Sequence, residues 1–255
     1  MIRNSSAREV KSVRTGFRII NILQNYDGAR LEELEQQLGL AKSTVHNYLT
    51  TLESMGYVVR HGDSYHLGLR FLTHGMAAKS RLRIRETVAD SLPALSETVG
   101  QPVWWVTEEH GRGVFIESAV PGDGRRVYGR AGKRSYLHTH APGKAILAAL
   151  PSAYVDGIIE YHGLSAHTKE TIADADTLRV ALERIADRGY ATGDGEAALG
   201  VRSVGVAFEG PAERYHGIGT FGYSHELSVP PDSEITSALQ RTVEEIEAAA
   251  ETEGA

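Results

Sequence analysis

Lys42, Ser43, Thr44, His46, Asn47 and Thr50 fall within nine consecutive residues and carry side chains that read nucleic acid. The Lys42 ammonium and the Ser43 and Thr44 hydroxyls can donate to phosphate oxygens. The Asn47 amide can pair bidentately with an adenine edge, and the His46 ring can reach a base or a phosphate. Arg60 and His61 follow at a Gly-Asp turn, where they would face a sugar-phosphate backbone. Elsewhere, His138-x-His140 brings two imidazoles together, and on a strand they would share a face at a spacing zinc can use. Two ligands are too few, however, and no third is identifiable. Gly143-Lys144 resembles the end of a phosphate loop, but His138 stands where that motif needs Gly and Ala145 where it needs Ser or Thr. Ser224-His225-Glu226 strings catalytic residue types together without a nucleophile elbow around the serine. The chain has no Cys, which removes disulfides, thiolate zinc clusters, iron–sulfur centres and Cys nucleophiles together. The chemistry on offer is recognition, with no enzyme activity, cofactor or metal expected.

The charge distribution agrees with that emphasis. The net charge is -6, yet residues 1–85 hold 13 Lys and Arg against 7 Asp and Glu, whereas residues 86–255 hold 14 against 26. A basic N-terminal third (+6) on an acidic remainder (-12) suggests a phosphate-facing module joined to one that is not. At 255 residues two domains are expected. No apolar run reaches the roughly 18 residues of a membrane span, and the first residues, Met1 to Ser6, lack the apolar stretch of a secretory signal. A cytoplasmic protein is expected.

The spacing of apolar residues predicts the helices and strands that carry these side chains. Val13, Phe17, Ile20 and Leu23 predict a first helix ending at Asp27-Gly28. Leu31, Leu34 and Leu38 predict a second, stopped by Gly39, with Arg30 where a capping Ser, Thr or Asp would normally stand. Val45, Leu49 and Leu52 form the apolar stripe of a third, leaving Lys42, Ser43, His46, Asn47 and Thr50 largely on its other face. Helix, tight turn, helix is the order of a helix-turn-helix, whose second helix lies in the major groove. Two short alternating runs around Gly62-Asp63 predict a β-hairpin, in the position of a wing.

Three blocks then carry a resemblance: V-K-S-V-R-T-G-F-R-I-I-N-I-L at 10–23, L-G-L-A-K-S-T-V-H-N-Y-L-T-T-L-E-S-M-G-Y-V at 38–58 and L-H-T-H-A-P-G-K-A-I-L-A-A-L-P at 137–151. In this order they resemble the IclR family of transcriptional regulators over nearly the whole chain. The resemblance implies an α+β protein: a winged helix-turn-helix at 1–68, a linker helix at 69–86, and a GAF-like α/β effector-binding and oligomerisation domain at 87–255. It implies double-stranded DNA and a small-molecule effector as partners, no membrane, and a homodimer or a dimer of dimers. Asn47 stands where many members have Arg.

Arg70, Lys79, Arg81, Arg83 and Arg85 among apolar residues fit a basic helix leading out of the first module, and Val88, Leu92, Leu95 and Val99 predict a helix ending at Gly100. Strands are expected at 103–107 and 114–118, around the Gly111-Arg112-Gly113 turn, then at Arg126-Val127-Tyr128, 202–208 and 217–223. Helices are expected at 145–150, at 177–188 behind a capping Asp174 or Asp176, and from Asp232 past Glu247. Mixed order without long strand–helix alternation indicates α+β. Ala141-Pro142-Gly143-Lys144 opens a helix, whose free N–H groups would form an anion site for a carboxylate.

Carried over by the resemblance, the effector pocket involves Val127, Ala141, Pro142, Asp194, Val201, Ser203, Gly219 and Phe221, and takes organic or aromatic acids in many members. This chain departs from the better-known pattern on the last strand, where Gly219 and Phe221 replace two small hydroxyls. Thr220 points to the other face if the strand is regular. The expectation is a more apolar or aromatic ligand, with Trp104, Trp105 and Tyr136 able to line its site, or an atrophied pocket. Alternatives are an architectural or constitutive DNA binder, and a GAF-like binding module without DNA function.

Overall fold

The computed structural model describes residues 9–122, 124, 125 and 127–253, and the chain divides between Arg81 and Leu82 into two units. Met1 to Ser6, read above for a secretory signal, and Arg126 lie outside the described residues.

In the first unit, α1 (Lys11–Asn25) buries Ile19 and Leu23. Val13 and Phe17 stay 56% and 58% exposed, so the apolar stripe of the helix is split between the core and an open groove. Strand β1 (Ala29–Arg30) leads into α2 (Leu31–Leu38). The capping side chain that Arg30 cannot supply is replaced from within the helix: the Glu33 carboxylate accepts the Arg30 backbone N–H at 2.7 Å. Gly39 ends α2 at φ 66°, in the left-handed region where a Cβ is strained. Helix α3 (Lys42–Ser54) then buries Val45 and Leu49. Strands β2 (Val58–His61) and β3 (Ser64–Leu67) form the expected hairpin, and β3 also pairs with β1, giving the order β1-β3-β2. A two-residue strand has no alternation to read, so β1 was not legible. Helix α4 (Arg70–Lys79) buries none of its residues within this unit.

The single linker helix expected over 69–86 is corrected: α4 stops at Lys79, and Leu82 and Ile84 are already buried in the core of the second unit. There follow α5 (Arg85–Val99), β4 (Val103–Glu109), β5 (Arg112–Ala119), β6 (Arg134–Tyr136), a short 3-10 turn at Leu137–Thr139, α6 (Ala141–Ala149) and α7 (Ser152–His162). Helix α8 (Ala175–Arg188), β7 (Ala191–Asp194), β8 (Val201–Gly210), β9 (Arg214–Tyr223) and α9 (Ser233–Glu253) complete the unit. The Asp174 carboxylate caps α8 by accepting the Thr177 N–H at 2.8 Å.

Six strands form one antiparallel sheet in the order β6-β5-β4-β9-β8-β7. Side chains alternate between its faces. Trp105, Val206 and Ile218 pack with Leu92 of α5 and Leu239 of α9, while Trp104, Phe115 and Phe221 pack with Ile146 of α6 and Leu178 of α8. The adjacent tryptophans therefore enter different cores, and Trp105 lies away from the face that carries the candidate effector residues. The strand expected at Arg126-Val127-Tyr128 is also corrected: Val127 and Tyr128 belong to no strand, and β6 forms the sheet edge instead. Among the described residues no helix is long and apolar enough to cross a membrane.

Candidate nucleic-acid interface and effector site

With Val45 and Leu49 turned inward, helix geometry sends Lys42, Ser43, Thr44, His46, Asn47 and Thr50 outward, and all six are exposed. Thr50 Oγ1 and His46 Nδ1 approach to 3.5 Å one turn apart. Lys42 donates to the Glu32 carboxylate of α2 at 2.6 Å; that hydrogen bond raises the Lys42 pKa and lowers that of Glu32. An exposed pair of this kind contributes little stability, so a phosphate can replace Glu32 at small cost. On the wing, Arg60 Nε donates to the Gly62 carbonyl at 2.9 Å, and its guanidinium lies 5.6 Å from the Tyr65 ring centroid and 3.7 Å from Asp63 Oδ1. His61 beside it is exposed, its ring 5.4 Å from that of His66.

The same unit has a feature that the periodicity of α1 concealed. Val13, Phe17 and Ile20 of α1, Leu52 of α3 with Met55 just past its end, and Phe71 of α4 line an apolar groove of 850 Å³. Tyr57 and His74, hydrogen-bonded at 2.7 Å, lie at its wall, and Asn47 also borders it. Apolar residues at helical spacing predict a helix, but spacing alone cannot tell a core face from an open one.

In the second unit, Ala141, Pro142, Ser203, Gly219 and Phe221 come together on the α6–α8 face. The Ala141 N–H donates to Ser203 Oγ at 3.1 Å, and the Gly143 N–H donates to His140 Nδ1 at 3.1 Å. Pro142 has no N–H. The open anion site expected at the start of α6 is therefore corrected: its first donors are already used inside the protein. Pro142 lies so close to β9 that a Cβ on residue 219 would be 2.4 Å from its ring. Here glycine is required by the approach of another residue. Phe221 is fully buried and lies among Phe115, Tyr128 and His140, at ring-centroid distances of 6.0, 5.1 and 6.1 Å. Val201 belongs to the same core and Val127 packs against it. Asp194 does not join them. Gly193 pairs with Ser203 and Asp194 with Arg202, so alternation places Asp194 on the other face, where it accepts from Arg202 Nε at 3.0 Å. As expected, Thr220 also points away from the site, donating to the Pro102 carbonyl at 3.0 Å.

His138 and His140 do not share a strand face: His138 sits in the 3-10 turn and His140 caps α6. His140 Nε2 lies 2.7 Å from Ser135 Oγ, which with Gly143 occupies both ring nitrogens. Burial pulls the pKa of His140 down to about 3 and that of His138 to about 4. Among the described residues no three His, Asp or Glu side chains gather as a metal site would require. One ionic pair was missed entirely: Lys144 of α6 contacts the Glu196 carboxylate, with side chains 4% and 10% exposed. Burial lowers Lys144 and raises Glu196, against the opposing attraction of the pair. The only sequence clue was a lysine inside the apolar run Ala-Pro-Gly-Lys-Ala-Ile-Leu.

Residues 76–248 match the family model described as the C-terminal domain of the bacterial transcriptional regulator IclR, and residues 12–62 match the IclR helix-turn-helix domain. The chain is 29% identical over 214 residues to the probable HTH-type transcriptional regulator ArcR of Halobacterium salinarum, covering 82% of this chain and 81% of that protein. It is 31% identical over 224 residues to the DNA-binding transcriptional repressor YiaJ of Escherichia coli, covering 86% and 78%. Among solved structures, an IclR homolog from Microbacterium hydrocarbonoxydans complexed with 4-hydroxybenzoate superposes with a TM-score of 0.77 at 17% identity, covering 94% of this chain and 99% of that one.

Proposed function

Because the chain belongs to the IclR family of transcriptional regulators, whose members regulate transcription rather than catalyse reactions, we propose that it is a cytoplasmic one-component regulator. In this reading α3 enters the major groove of an operator and a small organic or aromatic acid bound in the second unit changes the affinity. The observation that carries the DNA half is the polar, exposed face of α3, followed by a hairpin with Arg60 and His61 at its tip. Lys42, Ser43, Thr44 and the wing residues contact phosphates; His46, Asn47 and Thr50 face the bases. Two copies are needed to present two such helices at successive major-groove half-sites, roughly 34 Å apart. The apolar groove between α1, α3 and α4 supports a homodimer, alone or as half of a dimer of dimers, in which a second copy covers that groove. Control requires the effector to bind the DNA-competent and DNA-incompetent states with different affinity.

Fluorescence anisotropy of the full chain on a duplex from the DNA upstream of its own gene, compared with a scrambled duplex across a salt series, tests this reading. Preference for the upstream duplex, falling linearly on a log–log salt plot, is expected. A constitutive DNA binder with a closed pocket is the second reading, favoured by the seating of Pro142 on Gly219 and by the internal use of the α6 amides. Under that reading operator affinity is the same with and without every organic acid tried.

A further inference from the structure

Tyr128 lies on an irregular segment between β5 and β6, yet its ring is held as a ligand would be. It stacks on Phe221 with ring centroids 5.1 Å apart and planes at 22°, meets Phe115 edge-on at 5.9 Å, and has Lys133 Nζ 3.5 Å from its own centroid. Lys133 is fixed by its backbone: its carbonyl accepts the Phe115 N–H at 2.9 Å, and its own N–H donates to the Arg130 carbonyl at 2.9 Å. Its ammonium is half-buried, and the charged residue acting on it most directly is another cation, Arg130. Among the described residues its ammonium lies over the Tyr128 and Phe115 rings, and a partly desolvated ammonium gains less from an aromatic ring than from a carboxylate.

We propose, building on the effector reading above, that Tyr128 is a built-in occupant of the effector site. The ligand that displaces it is an aromatic carboxylate, whose ring takes the Tyr128 position against Phe221 and Phe115 while Lys133 binds the carboxylate. Phe221 supplies the stacking surface. Lys133 supplies the polar anchor that β9 lacks and that the α6 amides, already engaged, cannot provide. Burial lowers the Lys133 pKa to about 8, so a bound anion would both stabilise its charged form and be held by it.

Isothermal titration of the full chain with benzoate, benzyl alcohol and propionate tests the assignment. Benzoate should bind the wild type, and benzyl alcohol should bind at least about ten-fold more weakly for want of the charge-assisted bond. Lys133→Met should weaken benzoate by a similar factor and leave benzyl alcohol unchanged, whereas Lys133→Arg should retain benzoate. Tyr128→Ala should tighten benzoate, because no internal ring need be displaced. The proposal is overturned if Lys133→Met binds benzoate like the wild type, or if Tyr128→Ala binds no benzoate. If propionate nevertheless binds and shifts DNA affinity, the effector reading stands without this site; if neither carboxylate binds while DNA binding is intact, both fall.

Discussion

The indole N–H of Trp105 donates to Nδ1 of His216 at 3.2 Å, joining β4 to β9 in the core beneath α5 and α9. The acceptor nitrogen must be unprotonated, and burial, reinforced by the nearby Arg214, holds the His216 pKa near 3.

A pH dependence of stability follows. His216, His140 and His138 are held at about 3, 3 and 4 in the folded protein, below the roughly 6.5 of an unfolded histidine. Between these values the unfolded chain binds more protons than the folded one, so stability is lost as pH falls from about 6.5 towards 4. The slope is at most about 1.4 kcal/mol per pH unit for each group. Urea unfolding of the second unit at pH 7, 6 and 5 should show a falling midpoint; a constant midpoint would falsify the neutral buried assignment.

The buried Lys144–Glu196 pair makes a different demand. Lys144→Met leaves a carboxylate buried without its cation, which should cost about 3 kcal/mol or more. Adding Glu196→Gln should recover part of that loss, since the uncompensated charge is then gone. Equal destabilisation of the single and double variants in urea would show that the pair does not act as one unit.

Gly219→Ser restores the hydroxyl of the better-known pattern but places Cβ 2.4 Å from the Pro142 ring and 2.5 Å from the Val204 carbonyl. Overpacking of this kind costs roughly 1–3 kcal/mol. A thermal midpoint equal to that of the wild type would mean that α6 moves away from β9 more easily than its contacts imply.

Phe17→Asp tests the groove on the first unit. Phe17 is 58% exposed, so the substitution should leave the fold of its own unit unchanged while destabilising a dimer that buries it. Sedimentation velocity should show a shift to a smaller species, with the circular dichroism spectrum retained. An unchanged sedimentation coefficient would place the interface elsewhere.

What the sequence disclosed depended on how local the controlling interactions were. Val45, Leu49 and Gly39 define α3 and the turn before it within a dozen residues, and the wing follows from alternation around Gly62-Asp63. The spacing of Val13, Phe17, Ile20 and Leu23 predicts α1 but leaves open that Val13 and Phe17 are exposed, because spacing shows which residues share a face and not what covers it. Strand β6 was not read, because its three residues carry too little alternation, and the neighbouring Val127-Tyr128 was read as the strand instead. His138 and His140 would share a face only on a strand, and the 3-10 turn that holds His138 has no sequence pattern of its own to show otherwise. Asp194 was carried over by position, and the register of β7 against β8 turns it away. Tyr128 and Lys133 were outside any motif, since an irregular segment returning to Phe221 leaves no periodic trace.

The recognition role of α3 is tested most directly by operator affinity in the Thr44→Ala, Asn47→Ala double variant. Both side chains are exposed, so thermal unfolding should match the wild type. In anisotropy titrations, affinity for the upstream duplex should fall at least about ten-fold, to the level of the scrambled duplex. A folded double variant that keeps wild-type preference for the upstream duplex would contradict the placement of α3 in the major groove.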